Sequence, residues 1–226
     1  MMDSKYPGLT NQPDMGRPAG PMVRLLRPFL RAQFGQPSGV VGQFVGQIMA
    51  HAKSNSERTR WTLSLLDIRP GDRVLEIGCG PGVALDIASR MASRGIVVGI
   101  DHSEVMVRQA ARRNARAIRD GQVQVHLSSA ERLPAFDQPF DKIFAINSVH
   151  FWTDPVESIR HLRRWLTPSG VLALTLQPRS RNATAETTTI IGQELMTKLE
   201  LAGFTDCRLE LHHMNPIVVA CALGRN

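Results

Sequence analysis

Val74-Leu-Glu-Ile-Gly-Cys-Gly-Pro-Gly82 is the stretch around which the chain is organised. A short apolar run closes on glycines at positions 78, 80 and 82, and the helix-patterned segment Val83-Ala-Leu-Asp-Ile-Ala-Ser-Arg-Met91 follows. Strand, glycine turn and helix in that order bring bare backbone close to a nucleotide-like ligand. Glu76 separates the ligand classes. A loop built for a pyrophosphate offers amide N–H groups and a positive helix end to an anion. A carboxylate two residues before the first glycine opposes that anion and suits a ligand carrying a cationic amine. The spacing agrees, because a dinucleotide fingerprint needs its third glycine at position 83, where this chain has Val83.

With 226 residues and 42% of them hydrophobic, the chain has enough apolar material for one full α/β core plus an accessory segment. The net charge of +7 comes mainly from arginine, since lysine occurs only at positions 5, 53, 142 and 198. Such a chain could meet nucleic acid, anionic lipid or an acidic substrate, or carry its arginines on solvated faces. The three cysteines, Cys79, Cys207 and Cys221, form neither a disulfide framework nor a metal-ligand pattern. The N-terminus lacks the apolar core of a signal peptide, and no apolar run reaches membrane-spanning length. A soluble, cytoplasmic protein without a metal site is expected.

Residues 1–21 are rich in Pro and Gly. Met22–Phe34 alternates arginines with Leu25, Leu26, Phe29, Leu30 and Phe34, a basic amphipathic helix suited to peripheral membrane contact. Further helices are expected over Val40–Lys53 and Ser56–Leu66. From Arg73 onward strands and helices alternate, which predicts a parallel sheet covered on both faces. Strands fall at Arg73–Ile77, Ile96–Ile100, Val123–Leu127, Lys142–Ile146 and Val171–Leu176, and helices at Val83–Ser93, Ser103–Arg119 and Pro155–Leu166. After a helix over Thr188–Leu201, the segments Thr205–Leu211 and Ile217–Leu223 are joined by so few residues that they must form an antiparallel hairpin.

Asp101 ends the second strand, where a carboxylate can accept hydrogen bonds from ribose hydroxyls or cap the helix that follows. Arg108, Arg112, Arg113, Arg116 and Arg119 line that helix, as a solvated face or as an RNA contact. After the third strand comes Ser128-Ser-Ala-Glu-Arg-Leu-Pro-Ala-Phe136, and after the fourth Asn147-Ser-Val-His-Phe-Trp152. Leu166-Thr-Pro-Ser-Gly170 reads as a turn.

The acidic residue before G-x-G-x-G, the acidic strand end and Ala-Glu-Arg-Leu-Pro together make the block 73–176 resemble the class I S-adenosylmethionine (SAM)-dependent methyltransferases, in their ubiquinone-biosynthesis-like (type 11) branch. The resemblance implies a Rossmann-like seven-stranded sheet, mostly parallel, with a C-terminal antiparallel hairpin and helices on both faces. It divides the chain into an N-terminal helical lid or accessory segment, 1–60, and a SAM-binding domain, 61–226. It also implies SAM as cofactor and S-adenosylhomocysteine as product. Carried onto this sequence, it gives Glu76 and the loop Gly78, Cys79, Gly80 and Gly82 to the amino-acid end of the cofactor, and Asp101 to the ribose. His102 and Met106 would lie beside the adenine, Ser129 would stand where an aspartate usually meets the adenine amino group, and the Ala130 N–H would face a ring nitrogen. Serine bonds more weakly than a carboxylate, a loss for which Glu131 can compensate. The Asn147 backbone would meet the cofactor's amino group.

His150, just past the fourth strand, is the candidate general base, or else a packing residue under the lid. Trp152 can roof a substrate pocket or pack between helices, and Arg179 or Arg181 can meet an anionic acceptor. The expected reaction is methyl transfer to a small-molecule or lipid-like acceptor. RNA methylation is the alternative, disfavoured because Asn147-Ser-Val-His150 lacks the Pro-Pro-aromatic sequence usual for modifying exocyclic base amines. A non-catalytic SAM-binding protein of the same fold is a second alternative. An NAD-dependent oxidoreductase conflicts with Glu76, Val83 and the terminal hairpin.

Overall fold

The computed structural model describes residues 53–178, 183–214 and 217–226. Helix α1 (Lys53–Leu65) leads into β1 (Arg73–Ile77), followed by α2 (Val83–Met91), β2 (Ile96–Asp101), α3 (Glu104–Arg113), α4 (Ala115–Arg119), β3 (Val123–Leu127) and β4 (Phe140–Ile146). A single 3-10 turn (Val149–Phe151) precedes α5 (Pro155–Arg163), β5 (Leu166–Leu176), α6 (Ala185–Leu201), β6 (Thr205–His212) and β7 (Val219–Arg225). The seven strands form one sheet in the order β3-β2-β1-β4-β5-β7-β6. β1 to β5 run parallel, while β7 is antiparallel to both β5 and β6. The expected mixed sheet with a terminal hairpin is present, and β7 inserts between β5 and its own hairpin partner.

Alternation along β1 sorts the core. Leu75 and Ile77 join a cluster with Ile159 and Leu162 of α5 and Leu195 and Leu199 of α6. Val74 points the other way, into a cluster with Leu63 of α1, Ala84, Leu85 and Ala88 of α2, and Ala110 of α3. Period two puts Glu76 on the same side as Val74, at the end of a strand buried on both faces. β1 is also where the order reverses, with β2 on one side and β4 on the other. In open α/β sheets the crevice beyond the strand ends at such a point is where ligands bind.

Helix starts follow local chemistry. Asp154 caps α5, its Oδ1 accepting the Glu157 N–H at 3.0 Å, with Pro155 in the first turn. Thr184 and Thr187 close a reciprocal cap on α6. The helix expected over Ser103–Arg119 is two helices, divided at Asn114. The Asn114 amide donates to the carbonyl of Ala110 at 2.9 Å and to that of Gly82 at 3.1 Å, so the break serves the glycine loop. Leu166–Gly170, expected as a turn, is the irregular start of β5, with a register shift opposite Phe140 and Lys142. The helices expected at Met22–Phe34 and, but for its last residue, Val40–Lys53 lie outside the described residues, as do Arg179 and Arg181.

Gly82 is where the loop meets α3 most closely. Its φ is +76°, and a Cβ there would stand 2.6 Å from the Asn114 amide nitrogen and 2.8 Å from the Ala110 Cα. Gly82→Val therefore combines left-handed strain with a collision against helix backbone. It should cost about 1–3 kcal/mol in urea unfolding, and an unchanged midpoint would show that the loop is not pinned by α3.

Candidate functional site

The glycine loop is held from below by β2. The N–H groups of Gly78 and Cys79 both donate to the Ile100 carbonyl, at 2.8 and 2.9 Å. The Gly80 N–H donates to Asp101 Oδ2 at 2.8 Å, while Asp101 Oδ1 accepts the Ser103 N–H at 2.9 Å. Asp101 thus ties the loop to the start of α3, where Ser103 takes the cap position considered for Asp101. Around this joint lies a cavity of about 630 Å³, the size of an ordinary small-molecule or cofactor site. Gly80 has φ +51° and nothing within 4 Å of where its Cβ would be, so the loop presents bare backbone to open space.

Glu76, Gly78, Cys79, Gly80, Asp101, His102, Met106, Ser129, Ala130, Glu131 and Asn147 all line this cavity, while Gly82 stands just behind it against α3. Glu76 is only 4% exposed, and its Oε2 is buried without a hydrogen-bond partner. Burial, and then the neighbouring Asp101 carboxylate, push its pKa well above the ordinary carboxylate range. Burial also raises Asp101, against the Ser103 and Gly80 amides and His102, which favour its charged form. Cys79 is fully buried, and desolvation followed by the two carboxylates keeps it a thiol, so the loop offers no nucleophile there.

At the other end of the cavity, Met106 is buried on the first turn of α3 and Ala130 is buried beside it in the lining. Glu131 Oε1 accepts the Thr153 N–H at 3.0 Å. Burial pushes Glu131 upward, but the Thr153 amide, the Ser129 hydroxyl, its own amide and His102 outweigh that and hold it below its ordinary value. Ser129 and Glu131 thus act as a hydrogen-bonded pair.

Besides Gly82, His150 is the site candidate that the structure does not bring to the lining. It is exposed on the 3-10 turn, its ring 4.0 Å from that of Phe151, which does line the cavity. Trp152 serves both readings, since it is 9% exposed in the core and also lines the cavity. The arginines of α3 and α4 are all exposed: Arg108 pairs with Glu104, Arg116 approaches Asp120 at 3.8 Å, and Arg113 donates to the Pro81 carbonyl. No cluster of His, Cys, Asp or Glu among the described residues could hold a metal ion. No described helix is long and apolar enough to cross a membrane.

Sequence reasoning missed the wall supplied by α1. Asn55, Arg58 and Thr59 line the cavity, and Arg58 is buried. The signal was its phase, because Arg58 and Thr59 share the inward stripe with Thr62, Leu63 and Leu66.

A methyltransferase-domain family matches residues 74–170. An uncharacterized methyltransferase of Bacillus subtilis, YdaC, is 32% identical over 180 residues, covering 80% of this chain and 96% of that protein. The 27-O-demethylrifamycin SV methyltransferase of Amycolatopsis mediterranei is 35% identical over 144 residues, covering 61% of this chain and 52% of that enzyme. Among solved structures, a SAM-dependent methyltransferase from Aquifex aeolicus superposes with a TM-score of 0.65 at 22% identity, covering 81% of this chain and 97% of that one.

The buried Glu76 carboxyl makes stability depend on pH in a defined direction. In the unfolded chain it ionises near its ordinary value of 4.5, in the fold only at a higher pH. Below 4.5 both states are protonated and Glu76 costs nothing, and as pH rises from there the unfolded state is favoured until the folded group ionises. Ligand-free Glu76→Gln should therefore match the parent protein near pH 4 and unfold at a higher temperature than it at neutral pH. Parallel melting curves across that range check this.

Proposed function

We propose that the chain, which belongs to the class I SAM-dependent methyltransferases, carries a methyl group to a small-molecule or lipid-like acceptor and holds its cofactor in the cavity beyond β1, β2 and β4. Bound SAM supplies a methyl group already activated on a sulfonium. The protein's task is then to orient the reactants and exclude water. One observation carries the assignment of the site: a fully buried carboxylate oxygen, Glu76 Oε2, stands without a partner beside an open backbone cradle. An unpaired buried acceptor is costly, and a ligand ammonium would satisfy it.

The remaining roles follow from chemistry along the cavity. Asp101 already spends one lone pair of each oxygen on Gly80 and Ser103, and both oxygens keep acceptor capacity for ribose hydroxyls. Met106, Ala130 and the Ser129–Glu131 pair would receive the adenine. The half-exposed Phe151 and the buried Trp152 give the same cavity an apolar wall suited to an acceptor with an apolar body. The rifamycin-modifying relative supports a small-molecule acceptor, although this chain spans only about half of that enzyme. His150, exposed next to Phe151, stays a proposal for the general base.

Calorimetric titration with SAM, S-adenosylhomocysteine and NAD tests the cofactor assignment. SAM and S-adenosylhomocysteine should bind and NAD should not, and tight NAD binding with no response to SAM would overturn the site. Because Glu76 must be charged to meet an ammonium, SAM affinity should rise with pH above the ordinary carboxylate range, with protons released on binding. Glu76→Gln should weaken SAM binding by about tenfold or more and remove that proton release. Once a labelled-methyl screen has identified an acceptor, His150→Ala should lower turnover and leave SAM affinity unchanged. Full turnover in that variant would remove His150 from the chemistry.

A further inference from the structure

Among the described residues the sheet ends in two edge strands, β3 on one side and β6 on the other. An edge strand leaves a row of backbone N–H and C=O groups open to pairing with another chain. β3, Val123-Gln-Val-His-Leu127, carries no acidic residue, arginine or lysine, so no charge in it selects a register.

β6 differs. Beyond a register shift between Thr205 and Arg208 it pairs with β7 residue for residue from Arg208 to His212. Period two sorts this stretch between the two faces of the sheet. Leu209 lies on the α6 side, where its methyl groups would collide with any side chain at Gly192. Leu211, next along that face, is 42% exposed. Arg208, Glu210 and His212 lie on the α1 side, where His212 stacks on Trp61. Arg208 Nε and Glu210 Oε1 stand 3.4 Å apart, and both side chains are partly exposed.

A second copy laid antiparallel along this edge, with the two sheets continuous, sets each residue opposite one of the same face. With Arg208 on the two-fold axis, arginine meets arginine. With Glu210 on the axis, glutamate meets glutamate. With Leu209 on the axis, Arg208 meets the partner's Glu210, Glu210 meets the partner's Arg208, and Leu211 comes against the partner's Cys207. Like charges directly opposite destabilise a strand pair and opposite charges support it. The sequence of β6 thus admits one register and rejects its neighbours on either side, whereas an edge charged with one sign would repel all three alike.

We infer that β6 is a self-recognition edge, through which two copies of this chain pair antiparallel about a two-fold axis at Leu209 and join their sheets. The Arg208–Glu210 pair within each strand and the two pairs across the axis close a square of alternating charge, a network where an isolated exposed pair would contribute little. The contact runs beside α1, the helix that lines the cavity with Asn55 and Thr59. It is independent of the cofactor reading.

Sedimentation equilibrium over a concentration series tests the pairing. The parent protein should pass from single chains to pairs and go no further, because a two-fold contact closes on itself. Arg208→Glu sets glutamate against glutamate, and Glu210→Arg sets arginine against arginine, so each variant alone should lose pairing. Mixed in equal amounts, the two variants again bring opposite charges together at both positions and should pair with each other. The double variant, with the charges exchanged, should recover pairing by itself. Losing the ion pair within one strand, or a local defect of folding, would not be cured by mixing. A parent protein that stays single at every concentration would overturn the inference. So would single variants that pair as the parent does, or a mixture that stays single.

Discussion

The structure is arranged around the cost of burying Glu76 at the tip of a central strand. A carboxyl group on a fully covered strand is unfavourable unless something nearby rewards it. Its neighbours do the opposite: Asp101 adds a like charge, and the Cys79 thiol adds no compensating one. The fold tolerates the strain because β1 is held on both sides, by β2 in continuous parallel register from Arg73 to Ile77 and by β4 from Val74 to Glu76. The strand cannot turn its side chain out to water without shifting register and exposing Val74. The cost is thereby stored where a cationic ligand would relieve it.

Asp101 plays a complementary part. Its two oxygens clip the glycine loop to the start of α3, while Asn114 reaches back from the end of α3 to the carbonyl of Gly82. The loop is therefore gripped at both ends by one helix, and the bare backbone between the grips is preorganised. A cradle fixed in this way loses little conformational entropy when occupied.

One wall of the cavity was legible in the sequence because its residues are local to strand ends. The glycine loop, Asp101, His102, Met106 and the segment 129–131 each lie within a few residues of a strand end, so the strand pattern placed them. The sheet was legible for the same reason, down to the terminal hairpin forced by a connection too short for a crossover. What the pattern did not give was the opposite wall. Arg58 and Gln177 are 119 residues apart and touch only because α1 packs beside the ends of β4 and β5. In sequence Arg58 is indistinguishable from its exposed neighbour Arg60, and only the inward phase of α1 separates them. His150 shows the converse. Its position after β4 suggested an inward side chain, but the 3-10 turn rotates it to the surface and turns Phe151 and Trp152 toward the cavity instead.

That difference has a physical counterpart in what builds each wall of the cavity. The first wall depends on one contiguous unit, β1 through β3 with the helices between. The wall that carries Arg58 depends on the docking of α1. The Thr62 and Thr175 hydroxyls meet at 2.9 Å, Trp61 stacks on His212 with centroids 5.2 Å apart, and Glu57 stands 3.4 Å from the same imidazole. These polar and stacked contacts rim an apolar seat, in which Leu63 and the following Leu66 are buried with Val74, Phe144 and Ala173. Arg58 is thus brought to the cavity by a helix whose apolar side is part of the core and whose polar edge reaches β5 and β6.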